Sequence, residues 1–177
     1  MKKLIQKNRL IVACSLCAFA NIALADTATM KFTGRVLASS CTIQSPANVT
    51  VLLGSRNAHS DFFGVGTATP WVNFAINLQC PAGLRVSSQI DATADSSLAP
   101  GVMRLNTETG MATGVGVQMY LDTTPEAAVT FGQPVVITTT TAQGPVNINY
   151  KARYYQTAST ITTGPANATA QYTLSYQ

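Results

Sequence analysis

The chain has 177 residues, of which 46% are hydrophobic and only 10% charged. That length fits one domain of ordinary size, and the low charge argues against a coiled coil or a charged disordered tail. The formal charge of +4 does not point to nucleic acid. Lys2, Lys3, Lys7 and Arg9 crowd the first nine positions, and the other seven basic residues are matched by seven acids. Beyond the N-terminus the balance is zero, so the chain lacks the basic footprint that a phosphate backbone requires.

Residues 1–9 are basic, residues 10–24 are mostly apolar, and Ala23-Leu24-Ala25 has the small-x-small pattern read by signal peptidase. This predicts a secretory signal cleaved between Ala25 and Asp26. An apolar run of about 15 residues is too short to cross roughly 30 Å of hydrocarbon, so no membrane anchor is expected. Cys14 and Cys17 have redox-motif spacing but lie inside the segment to be removed. The mature chain keeps Cys41 and Cys80, and export places them in an oxidising compartment. A single disulfide is expected, closing a loop of about 40 residues and worth roughly 4 kcal/mol in the chain-entropy model.

Period-2 alternation dominates the mature chain, and no long helical pattern occurs. Strong strands are predicted over 28–36, 49–53, 72–80, 115–121, 146–154 and 168–176, and weaker ones over 85–90, 102–105 and 134–140. Gly and Pro turn signals separate them, among them Pro81-Ala82-Gly83, Pro100-Gly101 and Gly144-Pro145. Residues 54–70 read as a loop with a short turn of helix. Strands with one apolar face each predict an antiparallel two-sheet sandwich. In that sandwich the disulfide would tie the first strand to the 72–80 strand.

Residues with catalytic chemistry are sparse. His59 is the single histidine and sits in a polar loop. Gly64-Val65-Gly66 and Gly114-Val115-Gly116 lack the third glycine and the following helix of a nucleotide loop. Five of the seven acids sit in or beside turn-like segments, where solvated carboxylates are ordinary. Asn48-Val49-Thr50 and Asn167-Ala168-Thr169 match the glycosylation sequon but fall in or near predicted strands, and we treat them as chance matches. No catalytic site, metal site or cofactor is expected.

The two ends carry more information. The first mature segment alternates apolar and polar residues and leads into the first core strand, and the sequence ends one residue after a strong strand. Phe32-Thr33-Gly34-Arg35-Val36 followed by Cys41, then Phe74-Ala75-Ile76-Asn77-Leu78-Gln79-Cys80, then Gly114-Val115-Gly116-Val117-Gln118-Met119, stand in this order. Tyr176 is penultimate, and Gly164 is the fourteenth residue counted from the end. Over the whole mature chain these features resemble the subunits of chaperone–usher pili, the type 1 and P fimbrial pilins.

The resemblance implies an all-β fold: an incomplete immunoglobulin-like antiparallel β-sandwich lacking its last strand, with an N-terminal donor strand. It implies a signal peptide over 1–25, a donor extension over 26–36 that runs into the first strand, and a pilin domain over 37–177. The exposed groove would be filled first by a periplasmic chaperone. At an outer-membrane usher it would then be filled by the next subunit's extension, a known mode of strand addition. Donor side chains Ala28, Met30, Phe32 and Val36 would enter the neighbour's groove, with Gly34 where the backbones approach closely. Gly164, Tyr172, Leu174, Tyr176 and Gln177 would form the groove and chaperone-pairing region. The implied partners are neighbouring subunits, chaperone and usher, with a host surface reached through the assembled fibre. The implied location is a fimbria on the bacterial surface, reached through the periplasm. The rival reading is a self-contained secreted β-sandwich binding module, either carbohydrate-binding or a one-domain adhesin. A secreted hydrolase using His59 or a carboxylate pair ranks last.

Overall fold

The computed structural model describes residues 40–97 and 99–177. The expected cleavage at Ala25 and Asp26 and the expected donor residues Ala28, Met30, Phe32, Gly34 and Val36 lie outside the described residues.

Nine strands follow one another: β1 (Thr42–Ile43), β2 (Val72–Cys80), β3 (Arg85–Asp91), β4 (Val102–Met103), β5 (Val115–Leu121), β6 (Ala127–Ala128), β7 (Val135–Thr139), β8 (Gly144–Gln156) and β9 (Gln171–Tyr176). They form two sheets. One has the order β1-β2-β8-β5-β4 with β6 added beside β5, and the other has the order β7-β3-β9. Every pairing is antiparallel. The described residues contain no helix. Residues 58–60 form a turn where a short helical turn was expected.

The alternation in β2 explains the layering. Ile76, Leu78 and Cys80 are buried, while Asn73, Asn77 and Gln79 face solvent. Opposite them, Ile148 and Tyr150 of β8 pair with Ile76 and Phe74. Val86 and Ile90 of β3 supply the facing layer of the core. Full burial of a side chain such as Ile76 or Ile148 contributes about 1.5–3 kcal/mol. Ser88 of β3 and Tyr150 of β8 join the two sheets by a buried hydroxyl–hydroxyl hydrogen bond.

β5 breaks the simple alternation, because its residues are buried on both faces. Its outer face is covered by a second cluster. The Arg153 guanidinium lies 3.9 Å from the centre of the Trp71 ring and donates to Gln118 Oε1. Tyr120 packs against Trp71 at 5.2 Å. Lys151, also over Trp71, is ion-paired with Glu126.

Cys41 and Cys80 are disulfide-bonded. The register Thr42 opposite Gln79 and Ile43 opposite Leu78 places Cys41 directly across from Cys80. Among the described residues the bond therefore closes the first rung of β1 on β2. Two expected strands differ from the observed ones along the surface, besides the shorter β4 and β7. Residues 49–53 are extended but belong to no sheet, and the strand expected over 168–176 pairs only from Gln171 onward. Both differences occur along one feature of the surface.

Candidate functional site

Residues 48–53 keep a strand's alternation: Val49, Val51 and Leu53 are half-buried, while Asn48, Thr50 and Leu52 are exposed. Among the described residues the segment makes no backbone ladder. Facing it, Ala166, Ala168, Tyr172, Leu174 and Tyr176 are half-buried, while Ala170, expected on the same inward face, and the residues of the opposite register are exposed. Among the described residues, 171–176 pair with β3 on one side only, since β9 ends its sheet.

Between these two extended segments runs a groove of about 1280 Å³. Its floor is the sandwich core itself: Phe74, Ile76, Ile90, Met103, Val117, Met119 and Ala152. Its walls are 47–55 and 166–172, and no charged residue lines it. Strand edges that stand unpaired among the described residues are a template for another extended segment.

The walls run in opposite directions. Gly83 bonds Thr140 and Arg85 bonds Gln177, so the end of β9 lies beside the Cys80–Leu84 crossing, at the Cys41 end of the molecule. At the other end, the Tyr154 hydroxyl donates to the carbonyl of Ala166 at 3.0 Å. Gly54, Ser55, Ala166 and Asn167 meet there in an adjoining cavity of about 330 Å³ that also contains Phe62 and Ile161. The first wall thus runs from the Cys41 end to the Tyr154 end, and the second runs back.

Burial pushes the Tyr154 hydroxyl above the usual tyrosine range, although Arg56 opposes the shift. Burial also raises Tyr176, and neighbouring Tyr172 adds to the shift.

Of the residues singled out in the sequence, Tyr172 lines the groove, and Leu174 and Tyr176 continue the same inward face toward the Cys41 end. Gln177 pairs its backbone with Arg85 in both directions. Gly164 lies at the Tyr154 end, in the cavity adjoining the groove. Its backbone stands against Gly110 and Ala112, where a Cβ would overlap the Gly110 carbonyl oxygen. This glycine is required by a backbone crossing. His59 is exposed in a turn, its amide bonded to Asn57 Oδ1. The sequence reading missed Leu53, Ala166 and the Met103–Met119 floor. Leu53 and Ala166 alternate visibly, but periodicity alone does not say which face of a strand stays uncovered.

The sandwich is the immunoglobulin-like fold of pilus subunits. It is similar to the type I fimbria protein of Burkholderia pseudomallei, with 33% identity, TM-score 0.56, and coverage of 77% of this chain and 88% of that one. A subunit solved in a chaperone–usher pilus shares the fold at 18% identity and TM-score 0.61, covering 86% of this chain and 97% of that one. Long polar fimbria protein A of Salmonella typhimurium is 30% identical over 100% of this chain and 98% of its own length. The model of the family described as fimbrial protein matches residues 30–177, and the chain belongs to that family. It is a structural subunit of surface fimbriae that associates with other subunits, and it is not an enzyme.

Proposed function

We propose that the groove between residues 47–55 and 166–172 takes an extended donor segment, residues 27–36, from a second copy of this chain. The observation that carries this reading is the pair of walls, unpaired on their groove side among the described residues, over an apolar, uncharged floor. The segment suits the slot. Ala28, Met30, Phe32 and Val36 share one apolar face, Gly34 gives close approach, and Lys31 and Arg35 fall on the opposite register. Ten extended residues span roughly 33 Å, enough to follow a seven-residue wall of roughly 23 Å. Burying Met30, Phe32 and Val36 contributes about 1.5–3 kcal/mol each, with roughly 1 kcal/mol per ladder hydrogen bond.

The same slot takes a strand from a periplasmic chaperone before assembly, and an outer-membrane usher carries out the exchange. In this reading residues 1–25 are the signal peptide removed after Ala25, 26–36 are the donor extension and 37–177 form the domain. Tyr172, Leu174 and Tyr176 present the inward face against which the incoming strand lies, and the Gln177 terminus meets the chaperone.

The test is to refold the mature chain with and without a synthetic peptide of residues 27–36 and to follow oligomers by light scattering. Concentration-dependent oligomers that the peptide caps, and that Phe32→Asp abolishes, are the expected result. A chain that refolds cooperatively as a monomer and ignores the peptide overturns the reading in favour of a self-contained binding module.

A further inference from the structure

Phe63 and Val65 are the exception to an otherwise polar surface loop: they are 80% and 60% exposed. They are not on a loose loop. Gln156, itself 4% exposed, accepts the Gly64 amide and the Thr67 hydroxyl on its side-chain oxygen at 2.9 and 3.1 Å. Its backbone bonds the Gly66 amide and the Thr67 carbonyl at 3.0 and 2.8 Å. The Phe63 amide donates to Thr67 Oγ1 at 3.1 Å. Two apolar side chains held outward on a pinned loop are a pre-organised contact, since little freedom is left to lose on docking.

The loop's position names the partner. Phe62, adjacent to Phe63, lines the cavity at the Tyr154 end of the groove. An incoming segment antiparallel to β9, the more stable pairing, runs from the Cys41 end to this end. The donor's Val36 then emerges beside Phe62. Its own Cys41 follows five chain steps later, at most about 18 Å away. Cys41 is bonded to Cys80, so the donor copy's body is fixed at that point. The chain cannot satisfy this geometry with its own segment. Gly144 pairs with Cys80 and Tyr154 bonds Ala166, so the two ends of the groove are ten residues of β8 apart, about 33 Å.

Resting on the groove reading above, we propose that the Phe63–Val65 loop is a second subunit contact. It packs against the Cys41 end of the copy that donates its strand, at the turns following Cys80 and preceding Gly144, and fixes how successive subunits sit on one another.

A photo-crosslinking residue in place of Phe63 in the oxidised mature chain, read by mass spectrometry of assembled oligomers, tests this. Links to 37–45, 80–84 or 142–145 of a neighbouring copy are expected. Links elsewhere only, or none, overturn the inference. A Phe63→Asp, Val65→Asp chain is expected to grow oligomers about tenfold more slowly while taking up the 27–36 peptide as the unaltered chain does. Unchanged growth also overturns it. If the unaltered chain takes up no peptide, the groove reading fails and this inference falls with it. Normal uptake with unchanged growth removes this inference alone.

Discussion

The hydroxyls of Ser88 and Tyr150 meet at 2.8 Å in the core, one from each sheet. Burial holds the Tyr150 pKa above 10.0, and the Ser88 hydrogen bond only partly offsets this. A group whose folded pKa is raised contributes stability that is complete below its unfolded pKa and is lost as pH rises through the folded value. The chain is therefore expected to weaken above about pH 10. In Tyr150→Phe that alkaline loss is reduced but not removed, because Tyr154 and Tyr176 are shifted the same way. At neutral pH the same variant orphans the Ser88 hydroxyl and costs about 1–3 kcal/mol. Urea melts at pH 7 and pH 10.5 measure both effects.

Gly164 and Gly144 make a matched pair. Alanine at Gly164 collides with the Gly110 carbonyl and the Ala112 amide, whereas nothing lies within 4 Å of a Cβ at Gly144. Gly164→Ala is expected to cost about 1–3 kcal/mol, and Gly144→Ala to be within about 0.5 kcal/mol of neutral. Thermal melts of the two variants side by side decide it.

The disulfide anchors a strand of only two residues. Replacing Cys41 and Cys80 by alanine is expected to cost about 2–5 kcal/mol globally. Amide exchange is expected to accelerate most at Thr42 and Ile43, whose other restraints are few. Hydrogen-exchange mass spectrometry of the oxidised chain and the double variant checks this.

Ala168 stands half-buried on the groove wall and makes no ladder. Ala168→Asp sets a carboxylate against apolar surface that an incoming strand must desolvate. Uptake of the 27–36 peptide is expected to fall at least about tenfold, while the melting of the uncapped chain changes little. Fluorescence anisotropy of a labelled peptide measures the binding.

Much of the fold was legible in the sequence because local rules govern it. Ile76, Leu78 and Cys80 alternate with Asn73, Asn77 and Gln79, and a strand with one apolar face must bury that face. The 115–121 strand stands as read from its sequence. The weaker strands over 102–105 and 134–140 shrink to β4 and β7. The two-residue strands β1 and β6 carry no periodic signal of their own, since two residues cannot show a period.

Sequence by itself determined which residues turn inward, including Val49, Val51 and Leu53 on one side and Ala168, Tyr172, Leu174 and Tyr176 on the other. It could not say that these two sets would face each other across a groove, because a strand's alternation is the same whether its edge is paired or open. Pairing is a long-range property, set by how β2, β8 and β5 order themselves in one sheet and β7, β3 and β9 in the other. Only that arrangement set Ile76, Met119 and Ala152 as the floor of one groove, and put Gly164 in the adjoining cavity at a backbone crossing with Gly110.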